Sequence, residues 1–296
     1  MSLRAELLRL GLRLTVKRRT RLENGVQGWR RSTELAARFV PMPPKAFAVT
    51  SVDTGGVKAE VVSWEGSERD ILYLHGGGYV LGSPLLFRDL TWRLAKSARA
   101  RVLCIDYRLA PEHPYPAALE DAVTAYRWLL AGGAAARRIV IMGDSAGGGL
   151  ALATLLKLRD EGIALPAAAA ALSPWTDLAL TGASQRKNLD GDPIFQSEEF
   201  AIFAGCYLAG ADPRTPYASP LFGDLAGLPP ILIQVGSDEV LLDDSVRIAE
   251  KLRRAGTQAE LEVWPRMPHS WHLYARIVPE GRYAIRRIAA FVRAKA

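Results

Sequence analysis

The segment from Ile139 to Leu150 constrains the fold more than any other part of the chain. Apolar residues of strand type run from Ile139 to Met142, and small residues after Ser145 lead into a helical segment. Between them, Gly143-Asp-Ser-Ala-Gly147 has the G-x-S-x-G spacing of a sharp strand-to-helix turn that exposes the serine hydroxyl. The helix that follows begins with free backbone N–H groups, which suit attack on a carbonyl. Ser145 is therefore a candidate nucleophile, and the alternative is an ordinary capped turn.

Predicted strands and helices alternate along most of the chain. The predicted strands span residues 46–53, 57–64, 70–74, 101–106, 138–142, 167–172, 230–235 and 258–264. The glycines at 55 and 56 predict a hairpin between the first two strands. Alternating βα units imply an α/β fold with a mostly parallel sheet and helices on both faces. We expect residues 46–174 and 216–296 to form this core, with residues 1–45 as an N-terminal helical cap segment and 175–215 as a cap insertion.

The N-terminal segment has helical periodicity with basic residues between its leucines. Leu3, Leu7, Leu10 and Leu14 fall on one face. Asn24-Gly25 separates this helix from a second one, whose Trp29, Leu35 and Phe39 we expect to turn inward. We expect the first helix to pack against the body of the protein. The alternative is that a basic amphipathic helix lies on a membrane surface.

Composition narrows the classes of partner. The chain has 296 residues, 49% of them hydrophobic, and a net charge of +7. The arginines are not interleaved with stacking aromatics or a known reader motif, so we expect no nucleic-acid partner. Two cysteines are too few for a disulfide framework. We expect a cytoplasmic protein without a stable membrane span or signal peptide, and without a metal or other cofactor, since no ligand spacing or phosphate loop is present. A homodimer is among the assemblies that the sequence allows.

A serine nucleophile needs a base and an acid that orients the base. His269 follows the last predicted strand in a loop and is the candidate base, whereas His272 is expected to begin the C-terminal helix. Asp238 follows the strand at 230–235 and is the candidate acid, which would fix the tautomer of the imidazole. Three other acids compete with it, namely Glu239, Asp243 and Asp244.

An oxyanion intermediate also needs hydrogen-bond donors. His75-Gly-Gly-Gly78 follows the strand at 70–74 and matches the H-G-G-G loop that supplies backbone N–H groups, with a further donor from Ala146 after the nucleophile. Glycine suits this loop because a β-carbon would keep the backbone from the substrate. The alternative for three glycines alone is a flexible turn.

Four motifs together resemble the hormone-sensitive-lipase-like family of bacterial carboxylesterases, which are α/β hydrolases. The four motifs are His75-Gly-Gly-Gly-Tyr-Val80, Asp106-Tyr-Arg-Leu-Ala-Pro-Glu-His-Pro114, Gly143-Asp-Ser-Ala-Gly-Gly148 and Met267-Pro-His269. The resemblance implies an eight-stranded sheet under a helical cap, a triad of Ser145, Asp238 and His269, and oxyanion donors at Gly77, Gly78 and Ala146. It also implies supporting roles for Asp144 and Glu112.

The sequence therefore predicts a serine ester hydrolase whose partner is a small ester. The resemblance implies acyl chains of short to medium length. Candidate pocket residues are Tyr79, Trp175, Phe203 and Tyr207. The alternatives are hydrolysis of amides, lactones or carbamates by the same residues, a ligand-binding receptor on this scaffold, and an enzyme that works at a lipid interface.

Overall fold

An eight-stranded sheet forms the centre of the protein, as seen in a computed structural model that describes residues 1–18, 25–196 and 198–296. The strands are β1 (Ala48–Asp53), β2 (Lys58–Ser63), β3 (Arg69–Leu74), β4 (Ala100–Ile105), β5 (Ile139–Asp144), β6 (Ala168–Leu172), β7 (Ile231–Gly236) and β8 (Ala259–Trp264). Their order across the sheet is β1-β2-β4-β3-β5-β6-β7-β8. The predicted α/β-hydrolase fold is confirmed, and the predicted strand ends differ by at most two residues.

The first two strands form the predicted hairpin, and the rest of the sheet is mostly parallel. β1 pairs with β2 and β2 with β4 in antiparallel register, whereas all later pairs are parallel. Ile71 lies beside Val140, and Val140 beside Ala168. This register brings the carboxyl ends of β3 and β5 next to each other, so the loops that follow these two strands meet at one edge of the sheet.

Helices cover both faces because alternate side chains of each strand point to opposite sides. Leu72 and Leu74 belong to the core on one face, and Ile71 and Tyr73 to the core on the other. The core helices are α3 (Pro84–Ala98), α4 (Ala117–Ala131), α5 (Ala146–Asp160), α8 (Leu242–Arg254) and α9 (Pro279–Lys295). Side chains of α3 and α9 pack on the Ile71 face, whereas α4, α5 and α8 pack on the Leu72 face.

The remaining helices lie in the two predicted cap segments. They are α1 (Leu3–Leu12), α2 (Gly25–Ala37), α6 (Ser184–Lys187) and α7 (Glu199–Leu208), and a π-helical turn at Arg13–Lys17 continues α1. The division of the chain into core and cap stays a prediction. Asn24, the predicted break between the first two helices, lies outside the described residues, as does Arg19.

One expectation for the N-terminal helices is confirmed, and the other is wrong for two of its three residues. The helix α1 does pack against the body of the protein, but through Ala5, Arg9 and Leu12 rather than through its leucine stripe. In α2 and the residues after it, Trp29 is buried as expected, whereas Leu35 is 49% and Phe39 79% exposed. The described part of the chain contains no helix whose length and apolar character would allow it to cross a membrane.

Candidate active site

Ser145 lies at the turn between β5 and α5, at the carboxyl edge of the sheet. Its backbone angles, φ 53° and ψ −123°, are outside the regions that non-glycine residues usually adopt, which costs about 1–3 kcal/mol. A β-carbon at Gly143 would overlap the carbonyl group of Gly147, and one at Gly147 would overlap the carbonyl oxygen of Leu74. The two glycines therefore permit the tight turn that presents the hydroxyl.

The loop after β3 lies beside this turn and contains free backbone donors. Gly77 and Gly78 have φ of +126° and +61°, which favour glycine. A β-carbon at Gly77 would overlap the carbonyl oxygen of Leu81, and one at Gly78 would lie 2.6 Å from the ring of Phe203. Within the described ranges, no protein acceptor takes the N–H groups of Gly77, Gly78 or Ala146. These three groups are therefore available to stabilise an oxyanion.

His269 is held by Glu239, so the expectation that Asp238 orients it is wrong. The Nδ1 atom of His269 lies 2.8 Å from Oε2 of Glu239, whose side chain is fully buried. The other carboxylate oxygen, Oε1, accepts hydrogen bonds from the Ser173 hydroxyl at 2.7 Å and from the Gly236 N–H at 2.6 Å. With both oxygens engaged, the carboxylate is fixed in position and can keep the proton of the imidazole on Nδ1.

Asp238 turns away from His269 and pairs with the N-terminal helix. Its Oδ2 atom accepts a hydrogen bond from Arg9 at 2.9 Å, and its side chain is 27% exposed. The same guanidinium donates to the carbonyl oxygens of Arg266 at 2.7 Å and Gly191 at 3.1 Å. Arg9 thus ties together the loops that carry Glu239 and His269 and the segment around Gly191. Adjacent residues after a strand point in different directions, which is why Asp238 and Glu239 have different partners.

Ser145 and His269 line one cavity of about 180 Å³. The predicted pocket residues Trp175 and Phe203 line it, together with several apolar side chains that sequence reasoning missed, namely Leu86, Phe87, Ile194, Phe195, Phe200, Leu273 and Tyr274. Tyr79 and Tyr207 do not line it, which corrects their assignment. Their rings stack on each other at 3.8 Å and are buried behind the wall that Trp175 forms. The sequence has no signal that distinguishes an aromatic residue in the cavity wall from one in the layer of side chains behind that wall.

Comparison with known proteins identifies the family. The model of a family with the α/β hydrolase fold matches residues 71–273, a range that includes Ser145, Glu239 and His269. The chain belongs to this hydrolase family. The hydrolase is 52% identical over 225 residues to an acetyl-hydrolase of Streptomyces hygroscopicus, an alignment that covers 76% of this chain and 75% of that relative. It is 34% identical over 282 residues to an esterase of Acinetobacter venetianus, covering 95% and 93% of the two chains.

Solved structures place the hydrolase within the hormone-sensitive-lipase group. An esterase from the bacterial hormone-sensitive lipase family superposes with a TM-score of 0.94 at 43% identity, covering 100% of this chain and 99% of that one. The esterase EstE5, in a crystal soaked with p-nitrophenyl butyrate, superposes with a TM-score of 0.93 at 40% identity and the same coverage. The predicted family resemblance is confirmed, and the protein is a carboxylesterase.

Asp144 forms hydrogen bonds with two loops of the esterase, the loop after β3 and the loop that carries His269. It is buried and accepts hydrogen bonds from the Tyr73 hydroxyl at 2.8 Å, the Gly76 N–H at 2.9 Å and the Ser270 hydroxyl at 3.1 Å. Gly76 precedes the free donors and Ser270 follows His269, so one carboxylate links both loops. Burial raises the pKa of Asp144 to about 6, although its hydrogen bonds act in the opposite direction.

The other two histidines near the site have structural contacts. The Nδ1 atom of His75 lies 2.8 Å from the Gly76 carbonyl oxygen, and its ring stacks on Tyr107 at 4.2 Å. The Nε2 atom of His272 lies 2.8 Å from the Gln234 side chain. Burial lowers the pKa of His75 to about 4 and that of His272 to about 3, so both rings are neutral at pH 7.

Glu112 in the proline-rich motif joins the core to α2. Both of its carboxylate oxygens accept hydrogen bonds from Arg30 at 2.7 Å. Arg30 also donates to the carbonyl oxygens of Val80 at 2.7 Å and Ala110 at 2.6 Å. The bond from Arg30 holds the pKa of Glu112 down to about 2. Arg9 and Arg30 thus attach both N-terminal helices close to the active-site loops.

Proposed function

We propose that the enzyme hydrolyses esters of short- to medium-chain acids through Ser145, His269 and Glu239. The observation that carries the proposal is that Ser145 and His269 line the same cavity while a buried carboxylate holds the far side of the imidazole. Ser145 attacks the ester carbonyl, and His269 takes its proton. The negative oxygen then accepts hydrogen bonds from the N–H groups of Gly77, Gly78 and Ala146.

The second half of the reaction uses the same groups. His269 gives its proton to the departing alcohol, which leaves an acyl group on Ser145. A water molecule then loses a proton to His269, attacks the acyl carbonyl and releases the acid. Glu239 keeps its negative charge throughout and stabilises the imidazolium that forms in each half. The role that the sequence predicted for Asp238 is thereby assigned to Glu239.

The size of the cavity supports a short acyl group. A volume of about 180 Å³ is below the roughly 300–1,000 Å³ of pockets that hold drug-sized ligands, which suits an ester group with a few carbons. Apolar side chains, including Phe195 and Phe200, surround it. The relative from Streptomyces hygroscopicus is named an acetyl-hydrolase, and EstE5 was soaked with p-nitrophenyl butyrate. Acetyl and butyryl groups are both short.

A series of p-nitrophenyl esters tests the proposed substrate class. We expect kcat/KM to be highest between acetate and octanoate and at least about tenfold lower for palmitate, because a long chain exceeds the cavity. The matched p-nitroanilide of the preferred acid is expected to react much more slowly. A fluorophosphonate probe should label Ser145 and no other residue. A maximum at palmitate, faster hydrolysis of the anilide or labelling elsewhere would contradict the proposal.

The pH dependence of hydrolysis tests the link between His269 and Glu239. Burial alone lowers the pKa of His269, but the hydrogen bond to Glu239 and the negative charge of that carboxylate outweigh burial and raise the pKa above the usual 6.5. The base must be neutral to accept a proton, so activity is lost as the pH falls through this pKa. We expect the acid limb of kcat/KM to have its midpoint above pH 6.5 and to move to lower pH in Glu239→Gln. A midpoint that stays in place would contradict the assignment.

A further inference from the structure

The first helix turns its leucine stripe away from the protein. Leu3, Leu7, Leu10 and Leu14 are 75%, 60%, 54% and 59% exposed. Ala5, Arg9 and Leu12 are buried on the opposite side of the same helical segment. A helix advances by 100° per residue, so the two sets lie on opposite sides of the helix axis. Within the described residues, this apolar face of four leucines stays exposed, and it is therefore available to a partner.

Specific contacts hold the helix in this orientation. Arg9 makes its three hydrogen bonds from the inner face, and Ala5 packs in a cluster with Met267 and Trp271. At the start of the helix, the Ser2 hydroxyl donates to Glu280 at 2.9 Å. Rotating the leucines inward would leave the Arg9 guanidinium without these partners. The outward direction of the leucines is thus part of the fold.

The net positive charge of the protein is confined to the same region. The first 45 residues contain eleven arginines and lysines and three glutamates, so they carry +8, whereas the remaining 251 residues carry −1. Arg4 and Arg18 are exposed on the same helical segment as the leucines, and Arg13 is exposed while it donates to the carbonyl oxygens of Asp190 and Gly191. Such a segregated charge attracts an anionic partner to this face.

The segment around Trp271 and Tyr274, on which α1 packs, also lines a second apolar groove, of about 370 Å³. Leu86, Leu273 and Tyr274 line both this groove and the cavity of Ser145. The outer part of the groove includes Phe39 and Ile277, which are 79% and 52% exposed. The three shared side chains therefore lie between the outer groove and the cavity of Ser145.

We propose that α1 and the end of α2 form a docking surface for an anionic lipid layer. The leucines insert into the boundary between headgroups and acyl chains, and the arginines contact anionic headgroups. A second copy of the chain is disfavoured because an isologous contact would oppose two like-charged faces. A nucleic acid would use the arginines but leave the leucines in water. Entry of substrate from the lipid through the groove rests on the proposed function, whereas docking does not.

Vesicle sedimentation tests the proposal without any measurement of activity. We expect the wild-type protein to sediment with vesicles of phosphatidylcholine and phosphatidylglycerol but not with phosphatidylcholine alone, and to be released as salt is raised. Leu7→Gln with Leu10→Gln is expected to lower the vesicle partition coefficient at least about tenfold, because two leucines no longer leave water. A matched control, Val263→Gln with Tyr283→Gln, alters exposed apolar residues of β8 and α9 and is expected to bind as the wild type does.

A second variant guards against a folding defect. Leu7→Trp keeps an apolar side chain at an exposed position, and its fluorescence should be quenched by anionic vesicles with brominated acyl chains beyond the quenching of the wild type. Absence of binding to anionic vesicles, binding that is equal in the leucine variant, or no added quenching would overturn the proposal. So would a dimer in lipid-free solution that Leu7→Gln with Leu10→Gln converts to a monomer, because the stripe would then serve a second copy.

Discussion

Replacing Ser145 by alanine is expected to lower kcat for ester hydrolysis by about 10⁴- to 10⁶-fold. The hydroxyl is the group that forms the acyl intermediate in the proposed mechanism. Among the described residues that line the cavity, the only other serine is Ser270, whose hydroxyl donates to Asp144. Residual hydrolysis would come from the oxyanion donors and from binding alone. The measurement is steady-state hydrolysis of the preferred p-nitrophenyl ester.

The substitution should leave the fold intact, which makes the activity loss interpretable. Alanine keeps the β-carbon, so the strained backbone at position 145 is unchanged, and we expect the free energy of unfolding to change by less than about 1 kcal/mol. Ser245→Ala is a matched control, because this serine is also buried but lies on α8 and does not line the cavity. A Ser145→Ala enzyme with near-normal kcat would exclude Ser145 as the nucleophile.

Replacing Glu239 by glutamine is expected to lower kcat by about 10⁴-fold. Glu239 accepts hydrogen bonds on both oxygens, from His269 on one and from Ser173 and Gly236 on the other. An amide has only one acceptor oxygen, so either His269 loses its acceptor or the NH₂ group faces the N–H of Gly236. If the NH₂ group faces His269, the imidazole is held in the tautomer that cannot take a proton from Ser145.

Asp238→Asn is the matched control for this change. Its side chain is partly exposed and pairs with Arg9 rather than with His269, and an asparagine oxygen can still accept from the guanidinium. We expect kcat to stay within a few-fold of the wild type and the unfolding free energy to fall by about 1 kcal/mol. A larger loss of kcat in Asp238→Asn than in Glu239→Gln would return the role of the acid to Asp238.

Much of the fold was predictable because the signals are local. The strand ends, the hairpin at Gly55 and Gly56 and the elbow at Ser145 follow from apolar runs and from positions that need glycine. His269 could be selected over His272 since a loop after the last strand lies at the edge where Ser145 lies. In each case the nature of the residues within a short stretch is enough to predict the local structure.

The orientation of α1 was not predictable in this way. Periodicity identifies a leucine face, and burial of apolar area ordinarily turns such a face inward. Here Arg9 makes one ion pair and two hydrogen bonds to loops distant in sequence, and these contacts determine which face is inside. No pattern within the helix indicates that the hydrogen-bond acceptors of Arg9 lie at residues 191, 238 and 266.

The sequence by itself determined the α/β architecture, the sharp turn at Ser145, the glycine loop after β3 and the candidate base, since each depends on residues close together in the chain. Only the tertiary structure decided that Glu239 rather than Asp238 contacts His269, that Tyr79 and Tyr207 lie behind the cavity, and that the leucines of α1 face outward. The physical reason is that the direction of a side chain in a loop or on a helix depends on partners contributed by distant segments.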